Sequence, residues 1–463
     1  MKILVLLAAL FLTACTSNAP HRLIKEARCQ SHEPCGNANY EYHPNYELAF
    51  VEYSERGNDF NPEATEELIK KLTNYNKNEK LALVVFIHGW KHNAAPDDDN
   101  VISFNKALDR LAKTKVVGDR RLVGVYVGWR GMSFHGLQSE NLSYWDRKAT
   151  AEEVGRGGVT ELLTRLERID RKRDENYLAI VGHSFGGAIT LSALHDQLMD
   201  RMISAQNGDD IQSFGDGVIL LNPAIEATQG LLLKENSLKV GMTNKSTPSL
   251  LYVVSSEGDI PTHWAFPAGQ YLDVYLTWNQ TTLYRRYLNQ NHTLKETEMD
   301  TTTIGNFPEF WTGQIIKNRD PDRLINRNIN LKQSSLYAVI GNAETEGWRF
   351  ISYCNEAPSP VRTKQFPCLP NEPADFIYTD KNFISGHNDI FNDEVISLLT
   401  AVVAKSNYKK NASKPFESCT DGNGDFSFGR CFDHFLTINK KHTKKESAPM
   451  HELLQSPLGN TLK

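Results

Sequence analysis

Five near-continuous apolar runs constrain the fold of this chain more than any other feature of its sequence. They are rich in Val, Ile, Leu and Tyr, and they are Leu81–Trp90, Arg121–Trp129, Asn176–Ser184, Asp216–Ala224 and Ser249–Asp259. Runs without polar alternation are typical of strands that are buried on both faces of a parallel sheet. Helix-like stretches separate them along the chain. We therefore predict an α/β fold with a doubly wound, mostly parallel sheet.

The rhythm of strands and helices stops after the fifth run. Residues 270–373 lack it, and we interpret them as a large insertion or cap placed before the last strand. A short strand is expected over Ala374–Asp380 and a closing amphipathic helix over Asn392–Lys405. The predicted organisation is a linker at 15–45, a core at 46–269 and 374–410, and a C-terminal tail at 411–463.

The first residues indicate export. Lys2 precedes an apolar run, Ile3–Leu12, which is shorter than the roughly 20 residues that a membrane-spanning helix needs. We therefore predict a signal peptide over residues 1–14. Leu12–Cys15 resembles the bacterial lipobox. That resemblance implies cleavage before Cys15, acylation of its thiol and anchoring to the cell envelope, with the outer membrane as the expected location.

The cysteines fit an exported protein. Beyond Cys15, six remain in three sequence-local couples, Cys29 with Cys35, Cys354 with Cys368, and Cys419 with Cys431. An oxidising compartment favours disulfides within each couple, and buried reduced thiols are the alternative. None of the couples has the C-x-x-C spacing of a zinc site. Asp421–Phe432 lacks the glycine and the final glutamate of a calcium loop, so no metal is expected.

Charge gives little sign of a nucleic-acid partner. The net charge is −5, and both signs are interspersed along the chain. The one basic cluster, Asn439–Lys445, lies near a polar C-terminus and is typical of a solvated segment. We therefore expect no nucleic-acid binding.

The sequence VGHSFGG, Val181–Gly187, carries the strongest chemical signal. It matches G-x-S-x-G through Gly182, Ser184 and Gly186, directly after a predicted strand and before a predicted helix. The glycines allow the strand and the helix to approach closely. The N-terminus of the helix brings amide N–H groups near the serine. Ser184 is therefore the predicted nucleophile.

An earlier strand ends in His88-Gly89-Trp90. This strand end resembles that of hydrolase sheets, and the resemblance implies that the amide of the residue after the His-Gly pair points into the site. We predict an oxyanion hole formed by the N–H groups of Trp90 and Phe185. His88 and Gly89 are expected to order this loop, and His88 is not expected to act as the base.

The acid is expected between the nucleophile and the base along the chain. Asp259 ends a predicted strand and is the preferred candidate. Glu226, after the preceding strand, and Asp389, beside a histidine, are the alternatives.

The base is expected after the last strand, and His387 alone follows a short strand and precedes a helix. Other downstream histidines are less suitably placed. His263 follows the acid on the same loop, and His292 lies in the insertion. The remaining three lie in the tail, and they are His434, His442 and His451.

The segments FIHGW, GHSFGG, EGD and GHNDIF, in this order, resemble the α/β-hydrolase superfamily, in a branch of exported, lipid-anchored bacterial hydrolases. The resemblance covers about residues 46–269 and 374–405. It implies a Ser184–Asp259–His387 triad that cleaves a small-molecule or lipid ester without a cofactor. The long gap between acid and base departs from the usual pattern, so the insertion is expected to shape the substrate pocket.

The sequence is compatible with three kinds of function. The first is ester hydrolysis of the esterase or lipase type. The second is acyl transfer or amide cleavage by the same triad. The third is a non-catalytic envelope binding protein on a hydrolase fold, because a fold alone does not determine a function.

Overall fold

The structure is a computed structural model, and it describes seventeen segments of the chain. They are residues 18–23, 27–28, 37–114, 116–132, 143–207, 209, 211–243, 249–267, 270, 281–288, 290–317, 348–352, 354, 368–369, 372–411, 417–420 and 427–446. The predicted signal peptide, Cys15, the Cys29/Cys35 couple, residues 421–426 and His451 lie outside the described residues.

Eleven strands of the described chain form one sheet, and two more form a separate hairpin. The strands are β1 Ala27–Arg28, β2 Tyr40–Tyr42, β3 Glu47–Glu52, β4 Leu81–Ile87, β5 Arg121–Gly128, β6 Tyr177–His183, β7 Gly217–Leu221, β8 Leu251–Ser256, β9 Thr282–Tyr287, β10 Gln290–Lys295, β11 Gly313–Lys317, β12 Trp348–Ser352 and β13 Ala374–Thr379. The central eight strands of the sheet all run parallel, in the order β3-β5-β4-β6-β7-β8-β13-β11. Antiparallel β2 and β12 flank them, and β1 pairs with β2.

Helices connect most of the parallel strands. In the described residues they are α1 Pro62–Asn78, α2 Asp99–Ala112, α3 Ser143–Val154, α4 Thr160–Asp170, α5 Phe185–Gln206, α6 Ala227–Thr243, α7 Glu296–Asp300, α8 Asp393–Asn411 and α9 Phe428–Glu446. Local sequence sets where they begin. The side chain of Asn61 accepts the N–H of Ala64 at 3.2 Å and Pro62 opens α1. Asp98 caps α2 by accepting the N–H of Asn100 at 2.8 Å.

The sheet has a hydrophobic core on each face. Along β4, Leu83 and Val85 belong to one core and Ala82 and Phe86 to the other, because successive side chains of a strand point to opposite faces. Helices α1, α4, α5 and α6 cover the first face, and α2, α8 and α9 cover the second. The predicted α/β class is therefore confirmed, and a mostly parallel sheet with helices on both faces has the layers of a doubly wound fold.

The described part of residues 270–373 extends the sheet. Strand β11 pairs in parallel with β13, and β12 pairs with β11. The strand expected over Ala374–Asp380 is β13, and it lies inside the sheet because β11 covers its free side.

Two segments that we predicted to lie outside the core contribute regular elements to it in the described residues. The predicted linker at 15–45 contributes β1 and β2 to the sheet. The predicted C-terminal tail contains α9, which buries Phe432, Phe435 and Leu436 in the core. These apolar residues recur at the three- and four-residue spacing of one helix face, and the abundant charges around them obscured that pattern.

The two cysteine couples in the described residues form disulfides, as predicted. Cys354 bonds to Cys368, and Cys419 bonds to Cys431. Both pairs are buried. No helix in the described part of the chain is long and apolar enough to cross a membrane.

A buried ion pair fixes the entry to β13. The ammonium group of Lys234 on α6 lies 2.7 Å from the carboxylate of Glu372, and both side chains are almost fully buried. The same carboxylate accepts the N–H of Leu369 at 2.8 Å and the hydroxyl of Ser237 at 3.2 Å. Burial raises the pKa of Glu372. The chain therefore enters β13, the strand that leads towards His387, from a position fixed by α6.

We predict that Lys234→Ala destabilises the protein by about 3–5 kcal/mol, because it leaves the Glu372 carboxylate buried without its cation. Urea unfolding followed by circular dichroism measures this change. Arg56→Ala is the matched control, because Arg56 pairs with Glu153 on the surface and its loss should cost at most about 1 kcal/mol. Equal small losses in the two variants would contradict the expectation.

Candidate active site

Ser184 occupies a sharp turn between β6 and α5. Its backbone has φ 55° and ψ −121°, a conformation that a residue other than glycine rarely adopts. Its N–H donates to the carbonyl of Leu221 at 3.0 Å, and its own carbonyl accepts N–H groups from Gly187 at 3.0 Å and Ala224 at 3.2 Å. Backbone bonds from both its N–H and its carbonyl therefore hold the serine in a strained turn.

Glycines make room for this turn. A Cβ atom at Gly186 would lie 2.0 Å from the carbonyl oxygen of Ile87, and one at Gly182 would lie 2.3 Å from Thr190 Oγ1. A Cβ atom at Gly89 would lie 2.7 Å from the Cβ of Ser184. The loop after β4 therefore touches the serine directly.

Ser184, His387 and Asp259 form one hydrogen-bonded relay. His387 Nε2 lies 2.8 Å from Ser184 Oγ, and His387 Nδ1 lies 2.8 Å from Asp259 Oδ1. A carboxylate can only accept, so Nδ1 carries the proton and Nε2 accepts from the serine hydroxyl. The side chain of Asp259 is fully buried, and that of His387 is 13% exposed.

The acid is held by a second set of polar groups. Thr262 donates its hydroxyl to Asp259 Oδ2 at 2.5 Å and its N–H to Oδ1 at 3.3 Å. Asn306 donates its side-chain amide to the Thr262 hydroxyl at 3.0 Å. Because Asn306 lies within residues 270–373, that segment helps to orient the acid.

The loop that carries His387 is held through its backbone. The carbonyl oxygen of His387 accepts from His183 Nε2 at 2.8 Å and from Asn222 Nδ2 at 3.3 Å. The side-chain oxygen of Asn222 accepts the N–H of Ser256 at 3.1 Å. Asn222 therefore links the ends of β7 and β8 to the histidine loop, and it does so with φ 44°, in the left-handed region that asparagine tolerates.

The acid and base loops also touch each other. The hydroxyl of Ser256 donates to the carbonyl of Ile384 at 2.6 Å. A Cβ atom at Gly258 would lie 2.7 Å from the same carbonyl oxygen. The distance between Asp259 and His387 is therefore set by direct packing of their loops.

His88 orders the loop before Trp90. It is fully buried, and burial lowers its pKa to about 4. Its Nδ1–H donates to the carbonyl of Gly89 at 3.0 Å, and its Nε2 accepts the N–H of Trp129 at 3.1 Å. The indole N–H of Trp129 returns a bond to the carbonyl of His88 at 2.9 Å. His88 is therefore neutral and committed to backbone contacts.

The two predicted oxyanion residues lie next to the serine or to a residue that contacts it. Phe185 is the first residue of α5, where backbone N–H groups point out of the helix end. Trp90 follows Gly89, whose Cα packs on Ser184. The ring of Trp90 is partly buried and lies 4.5 Å from the ammonium group of Lys91.

The alternative acids have other partners. Glu226 contacts Lys148, Gln270 and Gln229. Asp389 accepts the N–H of Ser385 at 2.9 Å and its hydroxyl at 2.7 Å, so it closes the loop that carries His387.

The other described histidines that follow Asp259 in the sequence do not lie on the loop that carries His387. The ring of His263 is 3.3 Å from the hydroxyl of Tyr378. His292 lies on β10, and His434 and His442 lie on α9.

Sequence reasoning missed His183, Asn222 and Asn306. His183 lies within the serine motif, and Asn222 ends the strand next to β6, so the shared edge of the sheet was a usable signal for both. Asn306 carried no such signal, because its contact with Thr262 depends on how residues 270–373 fold back.

The relay contains the groups that activate a serine nucleophile, namely a neutral imidazole and a carboxylate. A serine hydroxyl bonded to a neutral imidazole can lose its proton as it attacks an electrophile, and the carboxylate stabilises the imidazolium that forms. In the described residues, no group of three or more His, Cys, Asp or Glu side chains is arranged to hold a metal ion.

Comparison with protein-family models, with curated proteins and with solved structures finds no match to this chain. Inferences about what the site does therefore rest on its own residues and their geometry.

We predict that Gly89→Ala lowers the reactivity of Ser184 towards a fluorophosphonate probe by about 10²-fold, because the new methyl group displaces the serine. The rate of covalent labelling measures this effect. Gly386→Ala is the matched control, because a Cβ atom there has no neighbour within 4 Å. A Gly89→Ala protein that labels as fast as Gly386→Ala would contradict the proposed contact.

Two buried histidines predict a loss of stability in mild acid. Burial holds the pKa of His183 well below 6.5, and that of His88 at about 4. Below about pH 6.5 the unfolded chain binds protons that the folded chain excludes, so the free energy of unfolding falls as pH drops. We expect His88→Gln to reduce this slope by on the order of 1 kcal/mol per pH unit between pH 6 and about 4.5. Urea unfolding at several pH values tests it, and parallel curves for the variant and the wild type would refute it.

Proposed function

We propose that this protein is a serine hydrolase that cleaves carboxylic esters through a Ser184–His387–Asp259 triad. The observation that carries the proposal is the pair of 2.8 Å contacts that joins the three side chains in one relay. Each side chain comes from a different loop at the same edge of the sheet. The strained backbone of Ser184 supports the proposal. Strained residues persist only where the surrounding structure holds them, and they cluster at active sites.

The chain order supports an α/β-hydrolase fold. In that fold the nucleophile sits on a turn between a strand and a helix, and the acid and then the base follow along the chain. Here Ser184 follows β6, Asp259 follows β8 and His387 follows β13.

In the proposed acylation step, Ser184 Oγ attacks the ester carbonyl carbon as His387 Nε2 takes the hydroxyl proton. The carbonyl oxygen becomes an oxyanion, and we assign its binding to the N–H groups of Trp90 and Phe185. Each such donor typically contributes about 10²–10³ in kcat. When the tetrahedral intermediate collapses, the C–O bond to the alcohol breaks and His387 returns the proton to the leaving oxygen.

Deacylation repeats these steps with water. His387 Nε2 takes a proton from a water molecule, whose oxygen attacks the acyl carbon, and Ser184 leaves with the proton that His387 then returns. The 13% exposure of the His387 side chain lets solvent reach the imidazole, which favours hydrolysis over transfer to another acceptor.

We also propose that the mature chain is exported and anchored to the cell envelope through acylated Cys15. The two disulfides of the described chain support an oxidising compartment. The lipobox-like sequence before Cys15 supports the anchor.

The test of this function compares Ser184→Ala with the wild type. We expect loss of fluorophosphonate labelling and a fall in p-nitrophenyl butyrate turnover of about 10⁴-fold or more. Ser204→Ala is the matched control, because Ser204 lies on the same helix, α5, at the end far from Ser184. Turnover that survives in Ser184→Ala would refute the assignment.

A further inference from the structure

The first described segment of the chain, Asn18–Leu23, binds the edge of the sheet that carries the candidate site. The N–H of His21 donates to both carboxylate oxygens of Glu52 at 2.9 Å, and the N–H of Arg22 donates to one of them at 2.7 Å. Glu52 is the last residue of β3. Because β3 is parallel to β6, β8 and β13, its carboxyl end lies at the edge where Ser184, Asp259 and His387 lie.

The side chain of Arg22 fastens this segment to the core. It is almost fully buried, with its guanidinium 3.6 Å from the centre of the Phe50 ring. It donates to the carboxylate of Glu41 at 2.8 Å and, through Nε, to the carbonyl of Ala94 at 2.7 Å. Ala94 belongs to the loop that continues from Trp90. A buried cation with this many partners is costly to release, so the segment is a fixed part of the active-site edge.

The reach of the chain limits where an anchor at Cys15 can lie. Cys15 precedes His21 by six residues, and a fully extended chain of that length spans at most about 22 Å. Helix α5 leads away from Ser184 over 22 residues, or about 33 Å, so its far end is farther from the active-site edge than this tether is long. An acyl group on Cys15 therefore brings the membrane to the edge that carries the triad.

Exposed apolar side chains lie at the same edge. Leu23 is 65% exposed beside Arg22, and Ile260 is 67% exposed directly after Asp259. Phe60 is 36% exposed, and its N–H donates to the carbonyl of Glu52. Leu23 and Phe60 lie on the β3 side of Ser184 and Ile260 on the β8 side. Single exposed apolar residues are common, and what distinguishes these three is that they share an edge with the anchored segment.

Charge on this edge favours no particular headgroup. Lys91 and Asp97 are exposed on the loop after β4, and Asp99 is exposed at the start of α2. Contact with a bilayer therefore depends on the acyl anchor and on apolar side chains, and a zwitterionic membrane is sufficient.

We infer that the active-site edge faces the bilayer to which the chain is anchored, and that the substrate is an ester lipid that enters from that bilayer. This inference rests on the proposed serine ester hydrolase and on acylation of Cys15. Segment 18–23 fixes the orientation, and Leu23, Phe60 and Ile260 contact the lipid on either side of the nucleophile.

The orientation is tested without using activity. The acylated protein is reconstituted in phosphatidylcholine vesicles, with the photo-crosslinking amino acid benzoylphenylalanine in place of Ile260 or, as the matched control, Ile203. Ile203 is 48% exposed near the far end of α5. We expect lipid adducts, detected by mass spectrometry, at position 260 and not at position 203. Equal adducts, adducts only at 203, or no adducts at either position would overturn the inference, as would a Cys15 without an acyl group.

The second test releases the anchor from the edge. A Gly/Ser linker of about 20 residues inserted between Ser17 and Asn18 leaves the contacts of Arg22 in place but lengthens the tether. We expect hydrolysis of a diacylglycerol held in the vesicles to fall by about fivefold or more, and turnover of soluble p-nitrophenyl butyrate to stay unchanged. The same linker added after Lys463 is the control. An unchanged rate on the vesicle-held lipid would count against entry from the bilayer.

The two tests separate the inference from the proposed function. If p-nitrophenyl butyrate is not cleaved in a Ser184-dependent way, the proposed function fails, and adducts at position 260 still report the orientation. If that ester is cleaved and the adducts form at position 203, the function stands and the orientation is wrong.

Discussion

The structure depends on one constraint, the parallel alignment of β6, β7, β8 and β13. Parallel strands end at a common edge, so the residues that follow them meet in space however far apart they are in sequence. His387 lies 203 positions after Ser184, yet their side chains are 2.8 Å apart. The two hydrophobic cores hold these strands in place from both faces, and the polar groups at their ends are consequently fixed with respect to one another.

Much of the fold and of the candidate site could be predicted from the sequence. The apolar runs predicted the parallel strands, because a strand covered on both faces needs no polar alternation. The serine motif predicted a strand, a turn and a helix around Ser184, because its glycines at 182 and 186 leave the space that this turn needs. Asp259 was the preferred acid and His387 the preferred base because of their places after predicted strands, and the structure brings both into one relay with the serine.

The remaining features depend on contacts between distant segments. Asn306 reaches Thr262 only because residues 303–306 fold across the ends of β7 and β8, and no local pattern predicts that path. Helix α9 was missed because many charged residues surround its few apolar ones. Arg22 was missed because its partners Glu41, Glu52 and Ala94 become neighbours only when the first strands pair.

The loop that carries His387 is held through the carbonyl group of that residue. His183 and Asn222 bind the main chain at this position, and they do so whatever side chain it carries. These two bonds hold the loop without using the imidazole. A single substitution that removes the proton acceptor therefore leaves both backbone attachments of the loop available.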